Sequence, residues 1–149
     1  MLLTNHTLTG VALGLSIDNP AVLLPTAVAS HLAMDAVPHF GFKVTLRDRK
    51  FIVLATVDCL VSLAIMISFC LIYPTRALQI VVGVFGAAFP DLTYIPVSLF
   101  GYERIYRWLP IYKPWLAFLA KIQWFEKPIG LITEIVWALF MLIVINFVR

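Results

Sequence analysis

Residues 51–73 contain a single charged side chain, Asp58, and residues 128–148 repeat the pattern with Glu134 alone. An apolar helix of about 20 residues spans a hydrocarbon core of ~30 Å, so both stretches read as transmembrane helices. The rest of the chain agrees. Of its 149 residues, 62% are hydrophobic and 13% charged, with a mean hydropathy of +0.96. Soluble domains lie nearer half apolar and a quarter charged. The expected fold is therefore an all-α integral membrane protein, one domain over residues 1–149, with no room for a second core.

Three further elements follow from local signals. Thr4-Asn5 offers a cap for a short first helix over about 5–17, with His6 at its start. Asp18-Asn19-Pro20 is a turn, and Pro20 suits the first position of a second helix running to about residue 37. A third span is expected over 76–100, where Gly83, Gly86, Ala87 and Ala88 permit close approach by a neighbouring backbone. Residues 101–127 interleave Tyr102, Tyr106, Trp108, Tyr112, Trp115 and Trp124 with Arg104, Arg107, Lys113, Lys121 and Lys127. Trp115, Phe118, Leu119 and Ile122 recur at helical spacing, the pattern of an amphipathic segment in the headgroup layer. The architecture is thus a helical hairpin, three spanning helices (51–73, 76–100, 128–148) and an interfacial amphipathic segment. Cys59 and Cys70, eleven residues apart on one helix, are ~16 Å from each other and cannot bridge. The N-terminus has no basic start or cleavage site of a secretory signal, so it is expected to be retained.

Two spans separate the 41–50 loop from the 101–127 segment, which places both on one side. Together they hold nine of the eleven Lys and Arg residues; only Arg76 and Arg149 lie elsewhere. The positive-inside rule assigns that side to the cytoplasm, with membrane lipids and their anionic headgroups as the expected partners and no nucleic acid.

The polar residues inside the helices are the candidates for function. In Ser30-His31-Leu32-Ala33-Met34-Asp35-Ala36-Val37-Pro38-His39, positions 31, 35 and 39 fall within a sector of about 80° of one helix face. Pro38 ends the helix near His39. Imidazole, carboxylate, imidazole from one face is a donor set that zinc accepts. Counting ~1.5 Å per residue from the basic side, His6, His31, Asp35, Asp58, Asp91 and Glu134 fall about 6–13 Å deep, with His39 near the boundary. An acid at mid-membrane costs about 2.5–3.5 kcal/mol on the insertion scale, and no lysine or arginine lies within a span to neutralise the four. Either they protonate, or they surround a cation. A divalent metal, zinc by its N and O donors, supplies on the order of 10 kcal/mol. Seven ligands, namely His6, His31, Asp35, His39, Asp58, Asp91 and Glu134, suffice for two ions with a bridging carboxylate.

The strings His31-x-x-x-Asp35-x-x-Pro38-His39 and Gly86-Ala-Ala-Phe-Pro90-Asp91-Leu92, with His6 before Gly10, resemble the family of small bacterial membrane-bound metal-dependent hydrolases. The likeness covers about the first hundred residues by motif and the rest by hydropathy. A fainter similarity is to zinc-dependent phospholipases C, whose helices also carry H-x-x-x-D. The resemblance implies a bacterial inner-membrane enzyme that uses metal for hydrolysis. For two metals a phosphoester is the natural substrate, and the depth of the site points to a lipid or lipid-linked headgroup reached from the cytoplasmic leaflet. Glu134 is the candidate general base. Two other classes fit the same residues: a proton or metal-ion transporter, and a non-catalytic membrane subunit held together by a metal or polar cluster.

Overall fold

The computed structural model describes residues 1–41 and 48–149. Lys43 and Arg47, two of the four bases expected between the second and third helices, lie outside the described residues. The described chain is all-helical, and its elements run in order α1 (Leu3–Ser16), α2 (Pro20–Asp35), α3 (Arg49–Ile72), α4 (Ala77–Leu92), α5 (Tyr94–Phe100), α6 (Tyr102–Trp108), α7 (Tyr112–Ile122) and α8 (Leu131–Val148). Short 3₁₀ turns at Pro74–Arg76 and Pro128–Gly130 lead into α4 and α8. Two segments, Arg49–Ile72 and Pro128–Val148, are long and apolar enough to cross a membrane; α4 and α5, bent by 42°, make a third if they act as one span. Both long helices face outward along most of their length, as with Leu71 at 77% and Phe147 at 81% exposure. Apolar surface on that scale is consistent with a membrane protein.

The centre of the bundle is α1, a helix too short to cross the ~30 Å core by itself, since 14 residues rise about 21 Å. It is surrounded by α2, α3, α4 and α8 and packs most closely on α4. Glycines set that crossing. A Cβ on Gly10 would lie 2.6 Å from the Val84 Cα, one on Gly14 would lie 2.6 Å from the Gln79 carbonyl oxygen, and one on Gly83 would collide with the Gly10 carbonyl. The expected small-residue contact of α4 is thus present at Gly83, with Gly10 and Gly14, four apart on α1, as its other half. Around this crossing, Leu8, Val11, Ala12 and Leu15 of α1 join Ile80, Val84, Met141 and Ile145 in an apolar core. Gly10→Val is expected to destabilise the protein by about 3 kcal/mol or more, because a backbone cannot retreat from an inserted side chain as another side chain can. Thermal denaturation in detergent measures it, with the exposed Val136→Ala as a control that should change little.

Element boundaries depart from the sequence expectation where prolines act at a distance. The expected span over 76–100 breaks at Thr93, because the ring of Pro96 clashes with the carbonyl four residues earlier, at Leu92, and donates no hydrogen bond to it. Pro110 likewise divides the expected interfacial helix into α6 and α7. Helix α2 ends at Asp35 rather than 37, since Pro38 disfavours helical backbone at Val37. Helix α3 starts two residues early, at Arg49, where the Asp48 carboxylate accepts the Lys50 N–H at 2.7 Å.

The break at Thr93 explains part of the aromatic pattern in 101–127. The Tyr112 hydroxyl donates to the Thr93 carbonyl at 2.8 Å, and the Trp115 indole N–H donates to the Thr93 hydroxyl at 3.0 Å. Trp124 donates its indole N–H to the carbonyl of Ala36, at the end of α2, at 2.9 Å. These aromatics fasten helix ends, whereas Trp108 and Ile111 remain exposed. Val97, Ile105, Leu116 and Leu119 form a second, smaller core that seats α5, α6 and α7 over Leu32 of α2. The polar residues at the start of α1 and the end of α2 therefore lie between two apolar cores.

Candidate metal centre

Three helices deliver the site. His31 and Asp35 stand one turn apart on α2, α1 brings His6, and α4 brings Asp91 immediately after Pro90. His6, His31 and Asp35 are buried, while the Asp91 side chain is 35% exposed. The His6 and His31 rings stack, with centroids 3.9 Å apart and planes inclined by 16°. His31 Nε2 lies 3.1 Å from Asp35 Oδ2 and 3.7 Å from Asp91 Oδ1, and His6 Nε2 lies 3.2 Å from Asp35 Oδ1. One ligand atom each from His6, His31 and Asp91 falls within 4.8 Å of the other two.

The decisive contact is on the other side of the His31 ring. Its Nδ1 is 2.6 Å from the carbonyl oxygen of Ala87. A carbonyl only accepts, so Nδ1 carries the hydrogen and Nε2 of the neutral ring presents a lone pair. That lone pair faces two carboxylates and makes no hydrogen bond among the described residues. Lone pairs turned toward each other repel unless a proton or a metal cation lies between them. A backbone carbonyl holding the far nitrogen is also how metal-ligating histidines are commonly oriented. Two ligands at about 2.0–2.2 Å from a tetrahedral zinc are ~3.3–3.6 Å apart, close to the His31–Asp91 separation. The buried Nδ1 of His6 has no partner either. Two imidazoles and a partly exposed carboxylate thus fit a divalent cation, with Asp35 adjoining both rings.

No family model, curated protein or solved structure matches this chain. The site is characterised by its own geometry.

Asp35 is the most heavily engaged of the four. Its Oδ1 accepts from the Met1 amino nitrogen at 2.6 Å, and its Oδ2 accepts from the Gln123 side-chain amide at 2.8 Å. Gln123, which follows α7, was not legible as a site residue; a lone amide in an aromatic, basic stretch carries no signal of its own. It ties the covering helices to the site.

Asp58 and Glu134, also expected as ligands, are not grouped with His6, His31 and Asp91 and engage the start of α1 instead. Asp58 of α3 accepts from the Leu3 N–H at 2.6 Å and the Thr4 N–H at 3.0 Å, and also from the Thr4 hydroxyl. Glu134 of α8 accepts from the Leu2 N–H at 3.2 Å, the Asn5 amide at 2.6 Å and the Phe40 N–H at 3.2 Å. A helix leaves its first four N–H groups unpaired and carries about half a positive charge there. The two long, outward-facing helices thus supply the anions at the start of α1. The expected Thr4-Asn5 cap is absent: Leu2 occupies the cap position and makes no side-chain bond. Glu134, the expected base, accepts N–H donors at both oxygens.

His39 also leaves the cluster of His6, His31 and Asp91. It lies beyond the end of α2, and a short parallel bridge pairs it with Glu126. Outside the site, Asp18 pairs with Arg76 at the opposite end of the bundle.

Proposed function

We propose that this chain is a membrane-embedded, divalent-metal-dependent hydrolase acting on a phosphoester of a lipid or lipid-linked substrate. The observation that carries the reading is the His31 Nδ1 contact with the Ala87 carbonyl, which in the neutral ring turns a bare Nε2 toward two carboxylates with His6 stacked alongside. The resemblance to small bacterial membrane-bound metal-dependent hydrolases points the same way, as does the helix-ended His31-x-x-x-Asp35 string. His6, His31 and Asp91 would hold the metal with Asp35 as a further carboxylate, and zinc suits the N and O donors. Bound there, the metal would lower the pKa of a coordinated water toward ~7 and polarise the scissile group. The chain's own contribution is orientation. Ala87 fixes the His31 ring, Gln123 holds Asp35, and the two apolar cores keep bulk water from the buried side.

In this reading, α1 and α2 form a hairpin, α3, α4–α5 and α8 are the spans, and α6–α7 lie in the headgroup layer of the bacterial inner membrane. The basic residues then place the site in the cytoplasmic half. The exposure of Asp91 favours a catalytic over a purely structural metal, because a structural site is closed and a catalytic one keeps an open position. A transporter would need a polar path to the other face. Beyond the site, α1 offers Leu8, Val11, Ala12 and Leu15 to the apolar core instead.

Purified protein in detergent is expected to release headgroups from phospholipid-like phosphoesters, to stop after chelation, and to resume when zinc is returned. Stoichiometric metal without hydrolysis in a broad phosphoester screen would transfer the site to the non-catalytic subunit reading.

A further inference from the structure

We propose that His39 and Glu126 form a second divalent-cation position beside the first, making the centre binuclear. The proposal rests on reading His6, His31 and Asp91 as a metal site, and it assigns Glu126, which no spacing in the sequence singles out.

The His39 side chain is 1% exposed. Its Nδ1 is 2.8 Å from the Val37 carbonyl oxygen, so that nitrogen carries the hydrogen and Nε2 of the neutral ring is bare. Nε2 has no hydrogen-bond partner among the described residues, and its nearest ionisable neighbour is Glu126 Oε1 at 3.7 Å. This repeats the arrangement of His31: a carbonyl fixes the far nitrogen, and the near one faces a carboxylate at the same 3.7 Å that separates His31 from Asp91.

The backbone holds the pair in place. His39 N–H donates to the Phe125 carbonyl at 3.2 Å, and Lys127 N–H donates to the His39 carbonyl at 3.2 Å. Two glycines close the packing. A Cβ on Gly130 would collide with the His39 backbone, and one on Gly41 would lie 2.6 Å from the Glu126 Cβ. The nearest base in sequence, Lys127, places its ammonium over the Phe125 ring at 4.9 Å. Glu126 itself is 40% exposed, which leaves coordination positions for water or a substrate oxygen. The chain ties both residues to the first site: His39 follows Asp35 by four residues, and Glu126 follows Gln123, whose amide donates to Asp35 at 2.8 Å, by three. A phosphoester bridging two cations would meet one at each histidine.

The test is a cobalt(II) titration of the full-length, chelator-stripped protein in detergent, followed by absorption and elemental analysis. Wild type should bind two equivalents. Glu126→Gln and His39→Gln should each bind one, and the retained equivalent, lost in turn when His31→Ala is added, reports that the fold survives. Two equivalents in both variants would overturn the proposal, as would one equivalent in wild type that neither variant alters; the latter leaves the first site standing. No cobalt bound by wild type would overturn both readings. If Glu126→Gln loses both equivalents, His39→Gln decides. One equivalent retained there supports the second position, and loss of both makes the pair a structural fastener and overturns it.

Discussion

His31→Ala is expected to reduce bound metal from stoichiometric to about a tenth or less while leaving the helical content intact. The substitution removes the one nitrogen that faces both Asp35 and Asp91. It also frees the Ala87 carbonyl, which a neutral partner had satisfied at a net value of only about 1 kcal/mol. The loss should therefore fall on metal affinity far more than on folding. His31→Gln separates the two effects: its amide can still donate to Ala87, but it offers no imidazole nitrogen, so metal should be lost and stability largely kept. Elemental analysis beside circular dichroism reads both. Asp18→Ala, which breaks only the distant pair with Arg76, should alter neither.

The second large effect is expected at Glu134 and Asp58, and it is one of stability. Glu134→Ala removes the carboxylate that accepts from the Leu2 and Phe40 N–H groups and the Asn5 amide. Hydrogen bonds to a charged group contribute about 1.5–3 kcal/mol each, and breaking a buried charged contact costs ~3–5 kcal/mol. At roughly 2–4 °C per kcal/mol for a chain of this size, the melting temperature should fall by about 10 °C. Asp58→Ala should do the same through Leu3 and Thr4. Glu134→Gln is the informative variant. A base would tolerate it thermally and lose only activity, whereas a cap loses charge opposite the helix dipole and turns an amide toward N–H groups that need an acceptor. A thermal shift of several degrees is expected, with metal content following stability rather than falling alone.

These two effects mark how far the chain can be read without coordinates. His6, His31, Asp35 and Asp91 were legible because ionisable groups in apolar helices are rare, and because i, i+4 spacing places His31 and Asp35 on one face. Asp58 and Glu134 give the same compositional signal for a different reason. A lone acid in an apolar helix serves a metal or a helix N-terminus equally well, and only the position of α1 distinguishes them. Gln123 and Glu126 were invisible for the opposite reason, since polar side chains in a basic loop attract no notice. The helical class followed from the long apolar runs. The break at Thr93 depends on Pro96 acting four residues back, and the central place of α1 on Gly10 and Gly14 meeting Gly83. The interfacial reading of 101–127 recognised amphipathic aromatics but not the hydrogen bonds by which Tyr112, Trp115 and Trp124 close the ends of other helices.

X-ray absorption at the edge of the divalent metal that co-purifies with the wild-type protein tests the metal centre most directly. The geometry of His6, His31, Asp35 and Asp91 requires a first shell of nitrogen and oxygen only, at about 2.0–2.2 Å for zinc, with outer-shell scattering from at least two imidazoles. A sulfur shell at ~2.3 Å would place the metal on Cys59 or Cys70 instead, both free thiols of α3, and would contradict the assignment. Protein that is folded, carries no divalent metal and takes up none would contradict it as well, leaving a proton between His31 and its two carboxylates.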